Sequence, residues 1–202
     1  SKYTYSNGKI TIPSGYIKGA VNITAIAVPK TYTVSFNVNY SGGVNPASRT
    51  VTYNSTYGTM PTPTRTGYTF DGWYTTTALT KQVTSSTTVT TAGGHTLYAK
   101  WNANAYTVTL DANGGTVTPA TLSVVYDRPY GDRYNNSLPS AKRDGCTFAG
   151  WYTAKTGGTK IEYSTLVKTA GNHTIYGHWT PNTYTVTLIG GGGKGTNLAS
   201  YT

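Results

Sequence analysis

The chain has 202 residues and a net charge of +10, set by 16 Lys and Arg against six acids, yet only 11% of its residues are charged. One cysteine excludes an internal disulfide framework or a cysteine-built zinc site, and no apolar run reaches the ~18 residues of a membrane helix, so no membrane insertion is expected. Forty-one threonines and 19 tyrosines favour strands over helices, and 37% apolar residues are enough to build a core.

In chain order, Lys9–Pro13 and Ala20–Val28 alternate as two strands around a turn at 13–19. Thr33–Val38 alternates polar and apolar residues, the period of a half-buried strand, and Thr50–Tyr53 reads as its return strand beyond the turn Ser41-Gly42-Gly43. Tyr68-Thr69-Phe70 leads into Gly72-Trp73-Tyr74, where the glycine predicts a bulge or a close backbone approach. Thr96–Trp101 alternates again, with Leu97, Ala99 and Trp101 on one face. Only short stretches near 57–63, 76–82 and 160–168 could hold a helical turn.

The same elements then return. Gly67-Tyr68-Thr69-Phe70-Asp71-Gly72-Trp73-Tyr74 recurs as Gly145-Cys146-Thr147-Phe148-Ala149-Gly150-Trp151-Tyr152, 78 positions later, and His95–Trp101 recurs as His173–Trp179 at the same offset. Tyr32–Phe36 recurs as Tyr106–Leu110 and a third time as Tyr184–Leu188. Five extra residues in the second copy fall around Tyr134–Lys142, which marks a loop. Copies of ~75 residues are too long for solenoid units and long enough for small domains. The division is therefore 1–30, closing strands of a preceding β module; 31–104, repeat 1; 105–182, repeat 2; and 183–202, the truncated opening of a third copy. Four-residue linkers, 102–105 and 180–183, predict semi-rigid joints. The fold class expected is mainly β with minor helix (α+β).

The succession Tyr-Thr-Val-Thr-(Phe/Leu), Asn-Gly-Gly, Gly-x-Thr-Phe-x-Gly-Trp-Tyr and (Leu/Ile)-Tyr-x-x-Trp, carried by 106–110, 113–115, 145–152 and 173–179 and repeated at 32–36, 67–74 and 95–101, resembles the Listeria–Bacteroides repeat, the internalin-type B repeat of bacterial surface proteins. The resemblance implies tandem β-grasp (ubiquitin-like) domains with a sheet crossed by a short helix or loop. It implies an extracellular setting, at the cell surface or secreted, and a stalk or adhesive role.

Sites of chemistry are few. Asp71 is the one acid of repeat 1 and its counterpart is Ala149, so the copies cannot share a catalytic carboxylate pair. No enzyme is expected. His173 and His178 point to opposite faces of one strand and cannot chelate together; neither a metal nor a cofactor is expected. Cys146 reads as a small buried hydrophobe in a core strand. A Lys–Asn isopeptide bond would need Lys100 and Asp71 in repeat 1, or Glu162 in repeat 2. Phe70, Trp73, Trp101, Phe148, Trp151 and Trp179 are the expected structural core. Tyr74, Tyr98, Tyr152 and Tyr176 are the candidate surface contacts, as outward rings that could stack on sugars. The positive charge is spread as +4 in 1–30, +3 and +2 in the two repeats and +1 in 183–202, which argues against nucleic acid. The leading expectation is a monomeric structural and adhesive region. Its partner classes are a host protein, a glycan or an anionic surface polymer; the alternative is a non-catalytic module binding glycans or anionic polymers through Tyr and Lys/Arg.

Overall fold

Each repeat builds one five-stranded sheet in the computed structural model, which describes residues 3–24 and 26–186. A small hairpin, β1 (Thr4–Ser6) and β2 (Lys9–Thr11), comes first. Repeat 1 contains β3 (Thr31–Asn37), β4 (Arg49–Thr52), β5 (Tyr68–Tyr74), β6 (Gln82–Val83) and β7 (His95–Ala103), in the order β4-β3-β7-β5-β6. Repeat 2 contains β8 (Ala105–Asp111), β9 (Thr116–Val117), β10 (Thr121–Val125), β11 (Ala141–Lys142), β12 (Cys146–Tyr152), β13 (Lys160–Ile161) and β14 (His173–Pro181). Its sheet runs β10-β8-β14-β12-β13, and β9 pairs with β11 as a separate ribbon. The first and last strands of each sheet, β3 with β7 and β8 with β14, lie parallel at the centre; all other pairs are antiparallel.

The expected bulge forms in both copies. The register slips between Phe70 and Gly72, and between Phe148 and Gly150, leaving Asp71 and Ala149 as the extra residues. Gly72 and Gly150 sit at φ 142° and 128°. The consequence is positional. Residues three apart on a regular strand face opposite ways, but the extra residue lets Phe70 and Trp73 both reach the core side. Their rings meet at 5.3 Å, and Phe148 and Trp151 repeat this at 5.2 Å.

Two separate cores result. Trp73, Val34, Val89, Leu97 and Ala99 anchor the first, and Trp151, Val108, Leu122, Val167 and Ile175 the second, each at most 2% exposed. Phe70 and Trp101, like Phe148 and Trp179, pack at the core margin with their rings in edge contact. All four indole N–H groups donate to backbone carbonyls: Trp73 to Pro61 at 2.8 Å, Trp151 to Pro139 at 2.7 Å, Trp101 to Val38 at 2.7 Å and Trp179 to Ala112 at 2.8 Å. Satisfying a buried donor in this way removes the penalty of taking indole out of water.

The structure is all-β among the described residues, and the minor helix expected near 57–63, 76–82 and 160–168 is not found. The crossing segment is extended instead. Tyr57 and Gly58 donate their N–H groups to Thr87 and Ser85, and Tyr130 and Gly131 donate to Thr165 and Tyr163, all within 3.0 Å. Pro61 and Pro63 supply no N–H and push their predecessors out of the helical region, and the surrounding threonines favour extended backbone. Ala20–Val28 also departs from expectation: residues 20–24 and 26–28 form no strand, and Ile26 and Val28 are over 80% exposed. Among the described residues no strand lies beside this stretch to take up its backbone hydrogen bonds. The five-residue insertion runs as successive turns over 131–136, with the Tyr134 hydroxyl accepting the Ser123 N–H at 2.8 Å.

Candidate functional site

Tyr74 and Tyr98 are direct neighbours across β5 and β7, and Tyr152 and Tyr176 across β12 and β14, so each sheet carries a tyrosine pair on its outer face. Three of these rings are already occupied. Tyr74, expected to be outward and open, is only 6% exposed: its hydroxyl donates to Asp71 at 2.7 Å and the Lys100 ammonium lies 5.2 Å from its ring centre. The bulge causes this, because it projects Asp71 onto the outer face beside the ring. Tyr152 is half-buried under the His178 imidazole, stacked at 3.8 Å and 9°. Tyr176 is half-buried with the Lys155 ammonium 5.7 Å from its ring centre, and Tyr98 is half-buried as well. A sugar ring stacking on Tyr74 or Tyr152 would have to displace a cation or an imidazole.

The structure brings together a second set of residues that the sequence pattern did not single out. At the boundary of the repeats, the Tyr68 hydroxyl donates to Asp127 at 2.7 Å, and the Tyr68 and Tyr126 rings meet edge to face at 5.6 Å. Lys168 pairs with the other Asp127 oxygen. The Arg65 guanidinium lies 3.6 Å from the Tyr68 ring centre and 4.6 Å from that of Tyr40. Below this cluster the backbone is knitted through Asn104, whose N–H donates to the Gly67 carbonyl and whose own carbonyl accepts the Tyr126 N–H, both at 2.9 Å. The Asn104 side chain takes the Thr69 hydroxyl at 2.6 Å. Gly67 has φ 76°, and a Cβ there would lie 2.4 Å from the Tyr126 ring. Only glycine allows this approach. The linker is therefore the middle strip of a packed joint.

Residues 32–100 and 106–178 each match the Listeria-Bacteroides repeat domain, which covers most of the chain. The chain belongs to this family. Among curated proteins it is similar to Internalin H of Listeria monocytogenes, at 38% identity over 59% of the chain and 20% of that protein. It is also similar to a putative Gly-rich membrane protein of Evansella cellulosilytica (34%, covering 81% of the chain and 18% of the relative). A putative membrane protein of the same organism matches at 32%, over 85% of the chain and 23% of the relative. The chain thus spans about a fifth of the length of the relatives it matches.

Within the Listeria-Bacteroides repeats the remaining chemical candidates resolve as local structure. Lys100 lies 3.0 Å from Asp71, and Asn102 donates to the same carboxylate at 3.1 Å, which is the residue set of an isopeptide reaction. Both partners are solvent-accessible, and the Asp71 carboxylate pushes the Lys100 ammonium pKa up. Amide formation needs the neutral amine, so this pairing holds lysine in the unreactive form. Cys146, expected in the core, sits half-exposed where β12 begins, outside the second core. Among the described residues no three His, Cys, Asp or Glu side chains gather to hold a metal ion.

The joint carries a pH dependence whose sign is fixed. Lys168 first, then the Tyr68 hydroxyl, hold the Asp127 carboxyl below its ordinary value. A carboxyl depressed in the folded state contributes stability above its unfolded pKa and loses it as pH falls through the folded one. Lys168 lies in the same repeat as Asp127, so only the Tyr68 share of this dependence belongs to the contact between the repeats, which is expected to weaken below about pH 4 and to be indifferent from there to neutrality. An NMR pH titration of the Tyr68 and Tyr126 ring signals checks this; Asp127→Asn should flatten the titration, and an unchanged profile in that variant would contradict the assignment.

Proposed function

We propose that the chain is a spacer region of a bacterial surface protein, in which Listeria-Bacteroides repeats joined at fixed angles hold neighbouring segments away from the cell. The observation that carries this is the joint, where backbone hydrogen bonds through Asn104, the Tyr126 ring seated on Gly67 and the Tyr68–Asp127 hydrogen bond cross from one repeat to the next. The β-grasp assignment of each repeat is supported by the order β4-β3-β7-β5-β6 with parallel central strands, the extended crossing segment standing where a helix would lie. A surface, extracellular setting is supported by the similarity to Internalin H and to two putative membrane proteins. A non-catalytic, monomeric role fits the self-capped tyrosine faces. Residues 1–30 are read as closing a preceding module, and 183–202 as opening a third repeat. For contact with anionic polymers, the best-fitting place is a shallow cleft of about 310 Å³ lined by Arg143, Lys155 and His178.

The test is the relative motion of the repeats in solution. Residual dipolar couplings from 32–100 and 106–178 should fit one shared alignment tensor in the unmodified chain and two different ones in Tyr68→Ala. Independent tensors in the unmodified chain would end the spacer proposal.

A further inference from the structure

The joint between the repeats has two sides, and the side contributed by repeat 1 is built a second time at the far edge of repeat 2. There the Asn182 N–H donates to the Gly145 carbonyl at 2.8 Å, as Asn104 does to Gly67 at 2.9 Å. The Thr147 hydroxyl donates to Asn182 at 2.7 Å, as Thr69 does to Asn104 at 2.6 Å. Asn182 approaches the Tyr184 hydroxyl at 3.4 Å, the same distance as Asn104 to Tyr106. Gly145 holds φ 68°, close to the 76° of Gly67. What differs is occupancy. Gly67 is buried under Tyr126, whereas Gly145 is exposed with open space where its Cβ would point. Both glycines close the same kind of turn, with the Cys146 N–H donating to the Arg143 carbonyl at 3.2 Å as the Tyr68 N–H does to Arg65 at 3.1 Å. The turn is thus built twice, and only the copy in repeat 1 carries an aromatic ring over its glycine.

We infer that the edge formed by Arg143, Gly145, Cys146 and Asn182 is a docking seat for the return strand of a further Listeria-Bacteroides repeat that begins at Thr183. The occupant is specified by continuity, since Thr183-Tyr184-Thr185-Val186 repeats Ala105-Tyr106-Thr107-Val108 and its first contact is already in place. Its chemistry is specified by the filled joint: an aromatic side chain at the end of the return strand, placed over Gly145. Cys146 stands where Tyr68 donates to Asp127. This seat therefore grips through the ring and the backbone and has no use for an acid after the aromatic. The matching N-terminal side is present on repeat 1, where Tyr53, 36% exposed, donates its N–H to the Lys30 carbonyl as Tyr126 does to Asn104.

This inference rests on the spacer proposal, and the experiment separates the two. A three-repeat chain is made by placing a copy of residues 105–182 after Asn182, with the copied cysteine position as tyrosine so that Cys146 remains the one thiol. Labelling of Cys146 by a thiol reagent should be at least tenfold slower in this chain than in the 202-residue chain. Gly145→Ala in the three-repeat chain should restore fast labelling, because the added Cβ meets the docked ring. Equal labelling rates with and without the third repeat, when its NMR signals show it folded, would overturn the docking seat. In that case a shared alignment tensor for repeats 1 and 2 would leave the spacer proposal standing.

Discussion

Replacing Trp73 by alanine is expected to unfold repeat 1 and leave repeat 2 folded. Trp73 is 2% exposed, lies 4.8 Å from the Phe36 ring and 5.3 Å from the Phe70 ring, and donates to the Pro61 carbonyl. Truncating a buried tryptophan costs about 3–5 kcal/mol, and it also strips the Pro61 carbonyl of the crossing segment of its indole donor. A domain of ~75 residues has total stability of the order of 5 kcal/mol, so the loss consumes most of it. The two cores share no residue, which is why the second should survive. Urea unfolding followed by amide NMR checks this: signals from 32–100 should collapse in the variant while those from 106–178 keep their dispersion. Joint loss of both sets would mean the repeats fold as one unit. Trp151→Ala is the mirror case.

Gly67→Val should separate the repeats without unfolding either. The substitution places a branched side chain at φ 76° and drives a Cβ into the Tyr126 ring 2.4 Å away. The left-handed backbone alone costs roughly 1–2 kcal/mol for a residue with a Cβ, and the ring must move as well. Gly145→Val in the same chain meets the same backbone strain at φ 68° but open space. The difference between the two variants in thermal or urea midpoint therefore measures the joint. Gly67→Val should be the less stable of the pair, and it alone should give the repeats separate alignment tensors. Equal midpoints would show that the Tyr126 contact contributes nothing.

Much of each repeat is legible in the residues because its signals are local. The alternation of Thr33–Val38 and Thr96–Trp101, the glycine after Asp71 and the recurrence at 78 positions point to the strands Thr31–Asn37 and His95–Ala103 and to the bulge. Trp73 and Trp151 recur in identical frames, and both are 2% exposed. The tyrosine faces were misjudged at Tyr74 because its cover comes from Asp71, a residue that a regular strand would turn to the other side. The crossing segment, which the resemblance implies as a short helix or loop, is extended among the described residues, because in repeat 1 Pro61, Pro63 and the surrounding threonines favour extended backbone. The joint was hidden most deeply. Tyr68 and Asp127 are 59 positions apart and recur in no periodic pattern, and Cys146 breaks the recurrence at the position that matters. The one available signal was a glycine repeated before a residue that is not.

The parallel placement of β3 beside β7, and of β8 beside β14, has a mechanical consequence. The chain enters each repeat at the start of the first strand and leaves at the end of the last, and these two strands are neighbours running the same way. Tension along the chain therefore slides one past the other instead of peeling them apart. The hydrogen bonds from Val34–Asn37 to His95–Tyr98 are loaded together, as are those from Val108–Asp111 to His173–Tyr176. Each repeat meets a pull with its whole central ladder at once, an arrangement suited to a segment strung between two anchored points.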